Sequence, residues 1–162
     1  MIFDMNSRSD RPGYGMILAK GATSLTEAWD ARLDSSQDHF MLGHIMEWFY
    51  SDLAGIQRDP SVVGFKKIII KPTPVGNVTW VTASYRSASG TIESSWRIDN
   101  DKFFLNIVIP TNTTAKIYLP NHYNAGLITE SEKPVRATGD NSADSAIRVS
   151  SGVYHFVCDA VR

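Results

Sequence analysis

The chain has 162 residues, of which 43% are hydrophobic and 20% are charged, and its formal net charge at pH 7 is -1. This length suits one domain, or one domain with a small addition, and the hydrophobic content is sufficient for a core. Because the basic residues are scattered and the net charge is near zero, the composition excludes a strongly basic protein that binds nucleic acid or an anionic membrane.

The first 60 residues contain one strong helical pattern. Apolar residues recur at helical spacing in the stretch "DHFMLGHIMEWFYSDLAGI", and Gly55 suits the end of such a helix. The apolar arc is wide, so this helix needs cover on much of its circumference. We therefore expect residues 1–60 to be the end of a larger helical structure, whose other helices are not in this chain.

After Pro60 the pattern changes to short runs rich in β-branched and aromatic residues, separated by Pro, Gly or Asn clusters. The predicted strands are "FKKIIIKP", "VTWVTASYRS", "GTIESSWRID", "KFFLNIVIP", "TTAKIYLP", "AIRVSSG" and "VYHFVC". The stretches "RSASGTI" and "RIDNDKF" predict hairpin turns, and the polar residues 131–145 predict a surface loop. The expected fold class is mainly β. We expect residues 61–162 to form a self-sufficient antiparallel β-sandwich, jelly-roll-like, preceded by a loop and one or two helices.

The sequence also limits compartment and cofactor chemistry. No apolar run approaches the roughly 20 residues that cross a bilayer. The first residues lack the apolar core of a signal peptide, so the cytoplasm is the default expectation for this chain. The single cysteine, Cys158, excludes an internal disulfide and a cysteine zinc cluster, and its apolar surroundings predict a buried strand residue. We expect no metal and no cofactor.

Glu27 is the candidate for chemistry, in the stretch "GATSLTEAWD" that covers residues 21–30. One interpretation is structural: Thr23 or Ser24 caps a short helix and Glu27 completes a capping box at its third position. The other interpretation is a general acid or base. Its small and polar neighbours would leave room for a substrate, and Trp29 could offer a flat apolar platform to the face of a sugar.

Other polar residues near this stretch give weaker signals. Asp30, Asp34 and Asp38 follow one another at four-residue intervals, which would place like charges on one helical face, so a loop is favoured there. They do not form a compact loop of oxygen ligands with a glycine turn, as a calcium site would. His39 and His44 are five residues apart and share no helical face, and neither pairs with a nucleophile in a catalytic motif.

Several aromatic residues fall on the predicted strands. Trp80, Tyr85, Trp96 and Phe104 belong either to the core of the sandwich or to an exposed sugar-binding face. Aromatic residues on strands are more often core residues, so the core interpretation is favoured for these four.

Two segments before Pro60 are similar to an ordered family pattern: "YGMILAKGATSLTEAWD" and "SSQDHFMLGHIMEWFYSDLAGI". The pattern consists of a Gly-Ala-Thr-Thr run, a Trp-Glu-x-Trp-Asp motif, a Ser-Leu-Asn-His-Tyr-x-x-Gly run and a Gly-Glu-Trp-x-Tyr motif. The stretches "GFKKIIIKP", "ASYRSASGTIESSW", "VIPTNTTAKIYLP" and "VSSGVYHF" extend the similarity. This ordered set covers about residues 12–157 and resembles the bacterial α-L-rhamnosidases. Those glycoside hydrolases have an (α/α)6 catalytic barrel followed by a C-terminal β-sandwich.

The resemblance implies a division into residues 1–60, the end of the catalytic barrel, and residues 61–162, the sandwich. It implies inverting hydrolysis of terminal α-L-rhamnosides, which needs one carboxyl group as acid and another as base. The family's base falls on Glu27 and a sugar contact falls on His39, with Trp29 beside them. The sequence departs from the family pattern at Thr26, where the family has Trp, and at Asp38, where it has Asn.

In the family the general acid and most of the barrel lie upstream. We therefore expect this chain to be inactive alone, and its partners to be a rhamnose-containing carbohydrate and an upstream barrel supplied in cis or in trans. Nucleic acid and membranes are not expected partners. An alternative is a non-catalytic β-sandwich that packs on a barrel or binds carbohydrate. A third hypothesis is a homodimer that forms through the exposed face of the 39–54 helix.

Overall fold

The computed structural model describes residues 1–120, 123–130, 133–134 and 146–160. The chain divides into two compact units, Met1–Trp48 and Phe49–Arg162. The domain boundary expected near Pro60 remains a prediction. The expected surface loop at 131–145 lies outside the described residues, apart from the short strand at Lys133–Pro134.

The first unit contains short helices and one long loop. Helices α1 (Ile2–Ser7) and α2 (Tyr14–Ala19) precede the loop; a 3-10 helix (Phe40–His44) and α3 (Ile45–Trp48) follow it. Glycine allows α2 to approach α1, because a Cβ atom on Gly13 would lie 2.3 Å from the carbonyl oxygen of Met5. The sequence did not predict α1 and α2, since six residues are too few to display a helical period.

The predicted helix at 39–54 is helical but irregular. The 3-10 helix and α3 are followed in the second unit by a π-helical turn, Phe49–Leu53. A glycine at position 43 lowers the helix propensity of this segment. Four of its apolar side chains are exposed, among them Phe40 at 84% and Met41 at 64%, whereas Tyr50 and Leu53 pack against the core of the second unit. Among the described residues, no helix is long and apolar enough to cross a membrane.

The second unit is built from two β-sheets, as the sequence predicted. The four-stranded sheet has the order β1 (Ile56–Arg58), β2 (Lys67–Ile70), β6 (Thr114–Ile117), β9 (Ile147–Val149). The six-stranded sheet has the order β3 (Trp80–Ser87), β4 (Gly90–Asp99), β5 (Lys102–Ile109), β10 (Gly152–Ala160), β7 (Tyr123–Glu130), β8 (Lys133–Pro134). Each of the seven runs named above contains one of these strands, whereas β1, β7 and β8 were not predicted.

Buried and exposed side chains alternate along the strands, so one face of each sheet lies in a shared core. On β4, Ile92 and Trp96 point inward, and on β5, Phe103 and Leu105 do so. The same buried cluster takes residues from the four-stranded sheet, including Ile68. Two inner faces that share one core make a β-sandwich. All described pairings are antiparallel except one, because β2 and β6 run parallel.

The hairpin turns have the backbone conformation that their residues predict. Between β4 and β5, Asn100 and Asp101 have φ angles of 48° and 62°, as a type I′ turn requires. The turn between β3 and β4 ends at Gly90, whose φ is 126°. Both turns join neighbouring antiparallel strands, and so they fix the register of the outer part of the six-stranded sheet.

Candidate active site

The loop at residues 21–39, all of which the structure describes, contains no helix or strand and is closed by hydrogen bonds between its two arms. The backbone N–H of Glu27 donates to the carbonyl oxygen of Ser36 at 2.8 Å. The backbone N–H of His39 donates to the carbonyl oxygen of Leu25 at 2.7 Å. The arm that carries Glu27 therefore lies against the arm that carries His39, and the fold brings these two predicted site residues into one small segment.

Glu27 projects from this loop into solvent while its predecessor points inward. Thr26 is fully buried, and its hydroxyl donates to the carbonyl oxygen of Ala28 at 2.8 Å. The Glu27 carboxylate accepts a hydrogen bond at Oε2 from the backbone N–H of Ser36, at 3.3 Å. The capping-box interpretation is wrong, because no helix begins at Thr23 or Ser24. Glu27 is instead a loop carboxylate oriented by the backbone of the opposite arm.

Trp29 is half-buried, and its ring is fixed by an aromatic neighbour that the sequence did not suggest. The ring of Tyr14 on α2 meets it edge to face, with centroids 5.5 Å apart and an interplanar angle of 81°. The Tyr14 hydroxyl donates to the carbonyl oxygen of Leu42, and burial raises the pKa of Tyr14 above its ordinary value. No local signal could reveal this contact, because it joins residues fifteen positions apart through the fold.

The two histidines have different environments. His39 is half-buried, directly before the 3-10 helix, and its ring stacks on Phe40 with centroids 6.4 Å apart. His44 is exposed, and its Nε2 lies 3.1 Å from Oε2 of Glu47, one helical turn away. His44 therefore belongs to a surface pair, whereas His39 lies at the foot of the loop that carries Glu27.

The neighbouring aspartates lie in the loop, as predicted. Asp34 forms an exposed ion pair with Arg32 at 2.9 Å, and Asp30 and Asp38 are exposed. In the part of the chain that the structure describes, no group of three or more His, Cys, Asp or Glu side chains is placed to hold a metal ion.

The strand aromatics divide between core and surface. Trp96 is 2% exposed, in agreement with the core interpretation. Tyr85 is 40% exposed, although its ring packs on Phe65 with ring centroids 4.8 Å apart, so it lies at the edge of the core.

Phe104 alternates with the buried Phe103 and Leu105, so it lies on the outer face of the sheet and the core interpretation is wrong for it. Its ring lies under the guanidinium of Arg97, which is 3.9 Å from the ring centroid. Trp80, in contrast, is 68% exposed, so the core interpretation is wrong for this residue.

Cys158 is fully buried, as predicted. Burial, with a smaller contribution from the adjacent Asp159, raises the pKa of the Cys158 thiol to about 11. A thiol that stays protonated is a poor nucleophile, so Cys158 is a packing residue of β10.

Comparison with known proteins places both units in one family. Residues 1–53 match the family model described as the bacterial α-L-rhamnosidase six-hairpin glycosidase domain, and residues 55–133 match that of the bacterial α-L-rhamnosidase C-terminal domain. An α-L-rhamnosidase of Streptomyces avermitilis is 31% identical over 118 residues, which are 67% of this chain and 11% of that protein. One of Formosa agariphila is 30% identical over 159 residues, 90% of this chain and 17% of that protein.

Solved structures give the same result. The α-L-rhamnosidase structure from Dictyoglumus thermophilum superposes with a TM-score of 0.79 at 26% identity, covering 97% of this chain and 18% of that one. The Streptomyces avermitilis α-L-rhamnosidase in complex with L-rhamnose superposes with a TM-score of 0.78 at 26% identity, covering 96% and 16%. This chain thus spans less than a fifth of the length of these relatives. It belongs to the bacterial α-L-rhamnosidase family, in which it combines part of the six-hairpin glycosidase domain with the C-terminal domain.

Proposed function

We propose that this chain supplies the general base for inverting hydrolysis of terminal α-L-rhamnosides, and that Glu27 is this base. The observation that carries the proposal is an exposed carboxylate on a closed loop, oriented by the Ser36 N–H at 3.3 Å, within the part of the chain that matches the six-hairpin glycosidase domain. A carboxylate on a closed loop loses less conformational freedom when it acts than one on an open loop, and this favours catalysis.

The chemistry requires two carboxyl groups on opposite sides of the sugar ring. Glu27 takes a proton from a water molecule, whose oxygen forms a bond to the anomeric carbon. The bond from that carbon to the leaving oxygen breaks, and the general acid protonates this oxygen. The described residues offer the Glu27 carboxylate no hydrogen bond besides the one at Oε2, so its Oε1 can accept the proton of the water.

Trp29 and His39 are the proposed contacts to the sugar. An indole ring held edge to face by Tyr14 presents a rigid apolar surface, which suits the C–H face of a deoxy sugar. His39 lies on the arm paired with that of Glu27, and an imidazole can donate to or accept from a sugar hydroxyl. A relative whose structure holds L-rhamnose supports this class of ligand.

We further propose that the chain is inactive alone and acts with the rest of a six-hairpin domain, which provides the general acid. The exposed apolar side chains of the first unit support this, since Leu18 is 71%, Leu33 93% and Phe40 84% exposed. Such residues gain stability when other helices cover them. Without that cover, Glu27 has no closed pocket in which its carboxylate would be shielded from bulk water.

The test is hydrolysis of 4-nitrophenyl α-L-rhamnoside by two proteins: the 162-residue chain, and a chimera in which it replaces the matching segment of the Streptomyces avermitilis relative. We expect turnover only from the chimera, and a loss of about 10²- to 10⁴-fold in kcat for its Glu27→Gln variant. Glu47→Gln is the matched control, because it neutralises another exposed glutamate of the same unit.

Retained turnover in the Glu27→Gln chimera would mean that a residue other than Glu27 is the general base. Glu27-dependent turnover by the chain alone would overturn the proposed inactivity. Circular dichroism of each variant separates a loss of chemistry from a loss of folding.

The exposed apolar residues of the 40–46 segment also favour a second candidate, self-association of the chain. We propose that Phe40 and Met46, which is 52% exposed, can face a second copy when no barrel covers them. Size-exclusion chromatography should then show a dimer that Phe40→Ser converts to a monomer. Val63→Ser, at an 89% exposed apolar site of the second unit, is the control. A monomer at every concentration rejects this candidate.

A further inference from the structure

The outer face of the six-stranded sheet carries a row of polar side chains that the catalytic proposal does not use. Strand register places Thr82 opposite Ser95, Ser95 opposite Asn106, and Asn106 opposite His155. The row therefore crosses four adjacent strands, β3, β4, β5 and β10. Three strand spacings of about 4.8 Å give it a length of roughly 14 Å.

A groove follows this row. One part has a volume of about 470 Å³ and reaches from Ser84 and Glu93 to His155. An adjoining part of about 330 Å³ reaches Trp80. Both parts are lined by Thr82, Ser95 and Asn106, so they meet along the polar row. Together they are large enough for a ligand longer than a single sugar ring.

The polar groups at the centre of the groove are ordered and still have hydrogen-bonding capacity. His155 Nδ1 and Asn106 Oδ1 are 2.7 Å apart, with both residues half-buried. When Nδ1 carries the hydrogen, His155 Nε2 is left as an acceptor and the Asn106 amide as a donor. Within the described residues, neither group has a second protein partner. A donor and an acceptor side by side match vicinal hydroxyl groups.

Trp80 lies at one end of the groove with 68% of its surface exposed, directly opposite Arg97 on β4. Arg97 is engaged with the ring of Phe104, so Trp80 is the aromatic surface that remains open at this end. At the other end the Glu93 carboxylate is exposed and disfavours an anionic ligand. The Arg97 guanidinium and the Glu93 carboxylate lie at opposite ends of the groove, so its lining carries no net charge. An open indole, neutral polar groups and balanced charges together favour a neutral polyhydroxylated ligand.

We propose that this groove is a second carbohydrate-binding site, which holds a short neutral oligosaccharide with one terminal ring on Trp80 and a later ring over the Asn106–His155 pair. The site lies wholly within the second unit and is independent of catalysis by Glu27. A surface of this kind would hold the enzyme on an oligosaccharide or polysaccharide whose terminal residue is cleaved elsewhere. The affinity of such open sites is low, and we expect a dissociation constant in the millimolar range.

The test is a titration of the isotope-labelled 162-residue chain, followed by NMR. The probes are an α-linked L-rhamnose trisaccharide and cellotriose, with glycerol as a polyol that has no ring. We expect at least one trisaccharide, and not glycerol, to shift the Trp80 indole N–H and the amide signals of Asn106 and His155. Trp80→Ala should weaken this binding about tenfold or more.

Two control variants make the result decisive. Val63→Ala removes an exposed apolar side chain of the same unit outside the groove, and Glu27→Gln alters the proposed catalytic residue, so both should bind as the parent chain does. The proposal is overturned if neither trisaccharide shifts the groove signals, or if Trp80→Ala binds with unchanged affinity. Either outcome leaves the assignment of Glu27 intact, since that assignment is tested by turnover.

Discussion

The two units of this chain are stabilised by different means. In the first unit, Met1–Trp48, the one buried hydrophobic side chain is Ile17, and the loop that carries Glu27 is held by hydrogen bonds between its arms. In the second unit, residues of both sheets form one continuous apolar core. Burial of apolar surface is the main source of stability. The second unit is therefore equipped to fold by itself, whereas the first unit holds its candidate site without a core of its own.

Truncation of the chain should have the largest effect on the stability of the second unit. Residues 49–162 keep β1, whose Ile56 is 5% exposed, and the carbonyl oxygens of Leu53 and Ala54. Those oxygens accept hydrogen bonds from the indole N–H of Trp96, at 2.8 Å, and from the hydroxyl of Ser94, at 2.7 Å. We expect residues 61–162, which lose all of these, to be less stable than residues 49–162 by about 5 kcal/mol.

Urea unfolding of the two truncated chains measures this difference, and limited proteolysis provides an independent measure. Equal stability would mean that the sandwich is self-sufficient from residue 61 onward, as the sequence predicts. Cleavage throughout the sandwich in both chains would contradict the view that the second unit folds alone.

Replacing one phenylalanine by alanine in each unit compares the stability of the two units within the intact chain. Phe103 is fully buried in the sandwich core, whereas Phe40 of the first unit is 84% exposed. We expect Phe103→Ala to lower the free energy of unfolding by about 3–5 kcal/mol, and Phe40→Ala to change it by less than about 0.5 kcal/mol. Urea titrations followed by far-ultraviolet circular dichroism report both values. A large loss for Phe40→Ala would show that its ring is covered in solution.

Two glycines with similar backbone angles provide a smaller and more specific test. Gly55 has a φ of 79°, and a Cβ atom there would lie 2.2 Å from the backbone nitrogen of Pro72. Gly64 has a φ of 63° and open space around it. We expect Gly55→Ala to cost about 3 kcal/mol or more, and Gly64→Ala to cost about 1 kcal/mol. Equal melting temperatures for the two variants would reject a close approach at Gly55.

The smallest expected effect is the pH dependence that comes from Cys158. Burial raises the pKa of its thiol from 9.0 to about 11. A group with a raised pKa in the folded state contributes its stability fully below its unfolded pKa, and that contribution is lost as the pH rises through the folded value. The parent chain should therefore lose about 2 kcal/mol more than Cys158→Ala between about pH 8 and about pH 11. Parallel urea curves for the two proteins across this range would contradict burial of the thiol.

Sequence alone determined the features that depend on neighbouring residues. The alternation in "GTIESSWRID" and "KFFLNIVIP" is sufficient to define β4 and β5, because successive side chains of a strand face opposite sides. Asn100 and Asp101 define the turn between these strands, since both residues tolerate a positive φ. The ordered motifs between residues 12 and 157 also indicated the family and selected Glu27 as a candidate. The capping box was an equally local interpretation of Glu27, and it was wrong.

The tertiary structure decided what depends on distant residues. Trp80 and Trp96 both lie on predicted strands, yet strand register and packing expose one and bury the other. The parallel pairing of β2 with β6 joins segments more than forty residues apart, which no local pattern encodes. Likewise Tyr14 supports Trp29, and Ser36 orients Glu27, only because the chain folds back on itself. Short-range periodicity fixes which residues form strands, whereas the burial and hydrogen bonding of each side chain depend on contacts between segments far apart in the chain.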